Sequence, residues 1–431
     1  MNVSKFIKEK VKNPLLQRML VYILSDGISR AMPFLVFPIV AYYLTKEEFG
    51  LVANFSVLMA IIGPFIGMST SSMLSVEYYQ KPKEELPKFY SNLIYTNLIL
   101  YALIFSIVVL YNDYIENWTG FSLGWQLLAL LTIFFKPFTG LYSTRLRMEE
   151  KARKFGQFQI FSSAIAALLT YLFIAVLLWS WKGRIYSLVF AGILPGLVAI
   201  YYTVKFLDFE LPKLDVNIIK STLIFGLPLL PHNLSFWLKS GFEKLLVTGT
   251  QGLAENGVMS FAQTVSSIFV IITTAFFGAY TPYLFKRLSS LSENSEETKV
   301  DLVKKSYQFL FIYLVILIVG YFVCRIGISI YFEKYIPSLR YLVFFLGFNF
   351  FNACYAIFSG YVFYSKNTKL LGLITISTAF LQVALSILLV NQFGGIGAAY
   401  STLVISIITA VAVAYYSNKK YPMPWLFFIK K

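Results

Sequence analysis

The chain is poor in the residues that most enzyme and metal chemistry requires. Of its 431 residues, two are cysteine, one is histidine and 21 are Asp or Glu. Cys324 and Cys354 both lie inside apolar runs, and no Cys/His spacing resembles a zinc or iron–sulfur site, so disulfide and transition-metal chemistry drop out. A single histidine leaves no Ser/His/Asp or Cys/His arrangement for covalent catalysis. No G-x-x-x-x-G-K-[ST] loop is present to cradle nucleotide phosphates, and no cofactor is expected. Asp208-Phe209-Glu210 superficially matches a metal-holding acidic pair but reads as a solvated loop at a helix end. Charge of either sign is scarce, 13% of residues, which is about half the share in a soluble domain. A mean hydropathy of +0.68 leaves too few polar residues to coat globular domains, so a soluble protein is excluded. The net charge of +16 does not indicate nucleic acid, because the basic residues fall in short gaps between apolar runs.

What the chain has in quantity is apolar length: 58% hydrophobic and 18% aromatic residues. Twelve stretches near twenty residues recur, at 18–43, 50–74, 91–112, 123–144, 156–181, 185–206, 218–246, 257–281, 307–330, 338–363, 368–390 and 395–416. As a helix each crosses about 30 Å of hydrocarbon. Lys and Arg concentrate on one side of these stretches, in the N-terminal segment, in 145–154, in 286–305 and in the C-terminal tail. The other side holds only Lys46, Lys182, Arg184, Arg325, Lys334 and Arg340. The positive-inside bias therefore puts both termini in the cytoplasm.

The expected organisation is a short amphipathic surface segment at 1–17, a six-helix bundle at 18–206, a cytoplasmic linker at 207–217, a second bundle at 218–416 and a cytoplasmic tail at 417–431. The first segment does not read as a signal peptide, since no small-residue cleavage site follows the first apolar run. The longest outer loops, near 112–122 and 331–337, are too short for an extracytoplasmic domain. Shifting the chain by about 207 residues lays the first stretch on the seventh and brings Glu48-Phe49-Gly50 over Glu255-Asn256-Gly257. Six is even, so the halves share one orientation about an axis along the membrane normal. Parallel repeats of this kind enclose a central cavity at the bilayer midplane.

A charge in hydrocarbon costs about 2.5–3.5 kcal/mol on insertion scales, so intramembrane ionisable groups mark cavities and pathways. Asp26 and Arg30 in the first stretch are four apart and can pair on one face. Lys136, before Pro137 in the fourth, has no acidic residue within helical reach. Arg30 and Lys136 are therefore expected to form an anion site, with Asp26 holding Arg30 until cargo arrives; Lys239 is a further candidate cation. The seventh stretch carries His232, Lys239, Glu243 and Lys244. His232 reads as a packed polar residue more readily than as a proton relay. Lys239, Glu243 and Lys244 are expected to snorkel to the outer interface, with ion pairing or coupling as the functional reading. Pro33, Pro38, Pro64, Pro137, Pro228 and Pro231 interrupt the same stretches and are expected to kink them.

These residues resemble a known family. Gly226-Leu227-Pro228-Leu229-Leu230-Pro231, then Trp237, then Glu243-Lys244-Leu245-Leu246 is similar to the G-L-P…W…D-R pattern of polysaccharide transporters and O-antigen (Wzx-type) flippases, with Glu-Lys in place of Asp-Arg. Leu44…Glu48-Phe49-Gly50, Leu146-Arg147-Met148-Glu149-Glu150-Lys151 and Phe393-Gly394-Gly395-Ile396-Gly397-Ala398-Ala399 add to the resemblance. That family lies within the multidrug/oligosaccharidyl-lipid/polysaccharide (MOP) exporter superfamily. The resemblance implies an all-α integral membrane fold of about twelve helices, two six-helix bundles forming a V. It implies an undecaprenyl-pyrophosphate-linked oligosaccharide flipped across a bacterial plasma (inner) membrane, with membrane lipids and polysaccharide polymerase or assembly proteins as partners. Arg30 stands where related lipid II flippases keep a functional arginine. The competing readings are a lipid II or small-molecule antiporter of the same superfamily, an integral-membrane polymerase or acyltransferase, and a passive assembly scaffold.

Overall fold

A backbone in hydrocarbon finds no water for its N–H and C=O groups, so an apolar stretch must satisfy them within itself, as a helix. The computed structural model describes residues 14–208, 212–289, 296–365 and 368–425, and among them there is no strand. In chain order the long helices are α1 Pro14–Tyr43, α2 Lys46–Gly67, α3 Leu86–Leu110, α4 Leu123–Met148, α5 Ala152–Thr170, α6 Ser180–Phe206, α7 Leu230–Gln251, α8 Leu253–Ser267, continued after a short turn by Val270–Ser289, α9 Glu296–Tyr331, α10 Leu339–Tyr364, α11 Thr368–Phe393 and α12 Ile396–Lys420. Every expected apolar stretch overlaps one of them; that at 218–246 also takes in Val216–Gly226, and that at 257–281 runs through both Leu253–Ser267 and Val270–Ser289. The amphipathic segment expected at 1–17 lies outside the described residues as far as residue 13.

Among the described residues, eleven helices are long and apolar enough to cross a membrane, one fewer than the stretches counted in the sequence. The exception is the seventh, for two reasons. Pro228 lies in a 3-10 turn, Leu227–Leu229, that separates Val216–Gly226 from α7. Lys239, Glu243 and Lys244 then lower the apolarity of α7 itself. The connections expected as the longest outer loops are also more ordered than loops, being a short helix at Asn112–Thr119 and a 3-10 helix at Glu333–Ser338. α2 begins with a reciprocal capping box: Thr45 N donates to Glu48 Oε2 at 2.8 Å and Glu48 N to Thr45 Oγ1 at 3.2 Å.

The chain divides into two compact units, Met1–Leu44 with Asn54–Leu234, and Thr45–Ala53 with Ser235–Lys431. The expected boundary at 207–217 is displaced because that linker is fastened to the first unit. Asn92 Nδ2 donates to the Lys213 carbonyl at 3.2 Å and Tyr95 Oη to the Pro212 carbonyl at 2.9 Å. Lys88 Nζ lies 2.7 Å from Asp215 Oδ2. Asp215 in turn caps Val216–Gly226 by accepting from Asn217 N at 3.0 Å, so this helix belongs to the first unit.

Helices in lipid gain little from apolar burial against one another, and close packing of small residues takes its place. In the first unit α1 meets α5 this way: a Cβ on Gly156 would lie 2.4 Å from Ser25 Oγ, and Ser163 Oγ is 3.4 Å from Ser29 Oγ. An inner cluster of Tyr142, Leu146, Phe155, Phe158 and Ala199 joins α4, α5 and α6. Beside it Arg145 is buried, its guanidinium 4.2 Å from the Phe206 ring and its Nε 3.4 Å from Glu149 Oε1. Trp125 and Trp181 pack with ring centroids 4.8 Å apart at one end of the unit, an arrangement that suits an interfacial aromatic belt.

In the second unit the two glycines matched by the 207-residue shift face each other. A Cβ on Gly257 would lie 1.7 Å from the Lys46 carbonyl oxygen, and one on Gly50 would lie 2.2 Å from that of Leu253. Asn256 Nδ2 donates to the Gly50 carbonyl at 3.3 Å. Only glycine permits this backbone contact, which is why residues 45–53 pack with α8.

Candidate functional site

Four residues of α4, Thr132, Lys136, Thr139 and Ser143, recur at three- and four-residue spacing and so share one face. They line a cleft of about 460 Å³ inside the first unit, closed by Phe158, Gln159 and Ser162 of α5 and by Gly192 and Pro195 of α6. A second cleft of about 220 Å³ is lined by Gly67, Ser69, Thr70, Ser71 and Asn233, again with Lys136. Lys136 thus lines both clefts, whose walls mix polar and apolar groups, and among the described residues it forms no ion pair.

The smaller cleft is shaped by a break in α2. Met68 and Ser69 have φ of 38° and 54°, a left-handed conformation that non-glycine residues rarely adopt, and a short helix resumes at Thr70–Glu77. Thr70 is held by Asn97, whose Nδ2 donates to its Oγ1 at 3.1 Å. Asn233 reaches across from α7, its Nδ2 3.5 Å from Ser69 Oγ. A Cβ on Gly226 would lie 2.4 Å from the Met68 carbonyl oxygen, so the G-L-P turn packs directly on the break. Strain of this kind recurs at functional sites.

Asp26 and Arg30 share a face of α1 but form no ion pair among the described residues, contrary to the expectation from their spacing. The packed face of α1 is the Ser25–Ser29 face toward α5; Asp26 is half-buried and Arg30 exposed on its flank. Arg30 lines neither cleft, so the structure does not bring it into contact with Lys136. It does place them near the same helix: Ser29, next to Arg30, meets Ser163, and Ser162 lines the Lys136 cleft.

The charges of α7 do not snorkel as expected. Glu243 is 2% exposed, and its carboxylate is enclosed by uncharged donors from α11 and α12. Oε1 accepts from Gln382 Nε2 at 2.8 Å, Ser386 Oγ at 3.0 Å and Ser401 Oγ at 2.8 Å, and Oε2 accepts from Thr402 Oγ1 at 2.7 Å. The Lys239–Glu243 pair does not form; Lys239 Nζ instead donates to Thr378 Oγ1 at 3.2 Å, and Lys244 is half-buried. Sequence reasoning weighed Glu243 against its own helix and missed its partners. Their signal was the four-residue spacing of Gln382 and Ser386 and the Ser401-Thr402 pair, polar residues on single faces of apolar helices. The side chain of His232 lies outside the described residues. Among the described residues no group of three His, Cys, Asp or Glu could hold a metal ion.

The comparisons with known proteins agree with this architecture. A family model described as polysaccharide biosynthesis protein matches residues 15–288. Protein 1 of the Lsg locus of Haemophilus influenzae is 21% identical over 375 residues, covering 84% of this chain and 88% of that protein. Among solved structures, the lipid II flippase MurJ in an inward closed conformation superposes with a TM-score of 0.71 at 16% identity, covering 92% of this chain and 87% of that one. An inward-facing multidrug resistance MATE family transporter of the MOP superfamily gives 0.69 at 16% identity, covering 93% and 98%. At such identities the likeness is one of fold: a multi-pass, all-helical membrane architecture of the MOP type.

Proposed function

The chain belongs to the polysaccharide biosynthesis protein family, and on that premise we propose that it is a flippase for an undecaprenyl-pyrophosphate-linked oligosaccharide, an O-antigen or capsule repeat unit. Cargo moves from the cytoplasmic to the outer leaflet of a bacterial plasma membrane by alternating access, with both termini cytoplasmic. The observation that carries this reading is Lys136, a cation with no carboxylate partner among the described residues, which lines two clefts within an apolar bundle. An ammonium kept there is stabilised when an anion arrives, and a pyrophosphate is the anion common to every such cargo. Arg30, exposed on the flank of α1 and outside both clefts, would supply the second cation when the cargo spans the two helices, and its planar fork can grip two phosphate oxygens. A cationic drug would be repelled by the same pair, which disfavours the antiporter reading.

Glu243 is the coupling residue in this proposal. A carboxylate surrounded by hydroxyl and amide groups, rather than locked to a lysine, can exchange a proton or a small cation for its donors as the cycle turns. Lys239 and Lys244 then have supporting roles on the same helix. A polysaccharide polymerase and further assembly proteins are the partners that would receive the product. Surface polysaccharide in cells expressing Arg30→Ala or Lys136→Ala at wild-type protein level tests the proposal. Loss in both supports it, and normal polymer in both removes the anion site.

A further inference from the structure

The two clefts that share Lys136 differ in size and lining, and the difference suits two parts of one cargo. At about 460 Å³ the larger lies within the range of roughly 300–1,000 Å³ usual for small-molecule sites, whereas about 220 Å³ falls below it. The larger cleft is walled by hydroxyls of α4 and by Gln159 and Ser162 of α5, spaced by three and therefore side by side. Gln159 offers two donors and an acceptor in one plane, and the hydroxyls of Thr132, Thr139 and Ser162, whose hydrogens go to the carbonyls of Leu128, Lys136 and Phe158, present acceptors. The opposite wall is apolar, from Met59, Leu188 and Pro195. A row of hydroxyls and an amide facing an apolar wall is complementary to a pyranose, with its equatorial hydroxyls and apolar ring face. Bare phosphate would find a single charge in this cleft and a surplus of neutral groups.

Resting on the flippase reading, we infer that the larger cleft reads the first sugar of the cargo, with Gln159 and Ser162 as its specificity-determining residues, while Lys136, which lines both clefts, holds the phosphate joined to that sugar. The smaller cleft, floored by Ser69, Thr70 and Ser71, takes the phosphate side. Gly140 of the larger cleft adjoins Ser71 of the smaller: a Cβ there would stand 2.9 Å from Ser71 Oγ. A site built to hydrogen-bond hydroxyls discriminates against an analogue that lacks them.

Binding to the purified full chain in nanodiscs separates this inference from its parent. The probes are farnesyl pyrophosphate and the same lipid bearing N-acetylglucosamine, galactose or a 6-deoxyhexose at its terminal phosphate. Wild type should bind one glycosylated lipid about tenfold more tightly than the bare one, the equivalent of one or two hydrogen bonds. Gln159→Leu with Ser162→Ala should erase that increment and leave farnesyl pyrophosphate binding unchanged, which also shows that the variant is folded; Thr139→Val gives a smaller loss of the same kind. Lys136→Ala should weaken all four. An increment that survives the double variant, or wild type that binds all four lipids equally, overturns the sugar cleft while leaving the flippase reading standing. Wild type that binds none of them overturns both.

Discussion

A carboxylate at 2% exposure has to be compensated, and around Glu243 four neutral donors do it. A hydrogen bond to a charged group contributes about 1.5–3 kcal/mol, and each buried donor left without its acceptor costs about 1–3 kcal/mol. Glu243→Ala should therefore lower the thermal unfolding temperature of the purified protein. Glu243→Gln, which keeps a carbonyl acceptor but not the charge, should stay near the wild-type temperature and still lose transport. Equal transport by Glu243→Gln and wild type would remove Glu243 from coupling. For Arg30, Arg30→Lys should retain part of the surface glycan that Arg30→Ala abolishes, because an ammonium lacks the two-pronged fork. Lys136 was legible in the sequence because isolation from acid along its own helix is a local property. Glu243 was not, because its donors lie about 140–160 residues further on, and burial depends on α11 and α12. The spacing of Asp26 and Arg30 was likewise visible, but which flank of α1 packs is decided by Ser25, Ser29 and Gly156.

Among the elements, the apolar helices follow directly from the sequence, since length and hydropathy alone force a spanning helix. The interruptions were less legible. The left-handed break at Met68–Ser69 follows Gly67 and has no proline of its own, and it exists because the G-L-P turn packs on it. Of the glycines picked out by the repeat, Gly257 is the most constrained: Gly257→Val should cost at least the 1–3 kcal/mol of ordinary overpacking and reduce folded yield. Gly249→Ala, where nothing lies within 4 Å, should be neutral or stabilising in the same measurement. The 212–217 segment looked like a free linker from composition, but its Asn92 and Tyr95 anchors come from α3. Lys88 beside Asp215 holds that carboxyl below its ordinary value, so this contact is fully present above the usual carboxylate range and is lost as pH falls through the depressed value. The protection of backbone amides near Asn217, taken relative to intrinsic exchange at each pH, should accordingly fall in acid, and Lys88→Ala should shrink that step, the Asn217 and Ile218 amides still favouring the ionised Asp215.

For the whole molecule, the positive-inside count predicts an orientation as well as a set of spans. With Cys324 and Cys354 replaced, a cysteine at position 154 should be protected from an impermeant reagent added to intact cells, whereas one at 116 should react. Labelling at 154 would reverse the topology. The account's central claim is translocation itself, and the most direct measurement is in proteoliposomes holding the purified chain and a polyprenyl-pyrophosphate-linked oligosaccharide, with a glycosidase added outside. Wild type should expose inner-leaflet glycan to the enzyme, and Arg30→Ala and Lys136→Ala should match empty liposomes. Inner-leaflet glycan that stays protected with wild type, or is exposed equally by the two variants, would contradict the account.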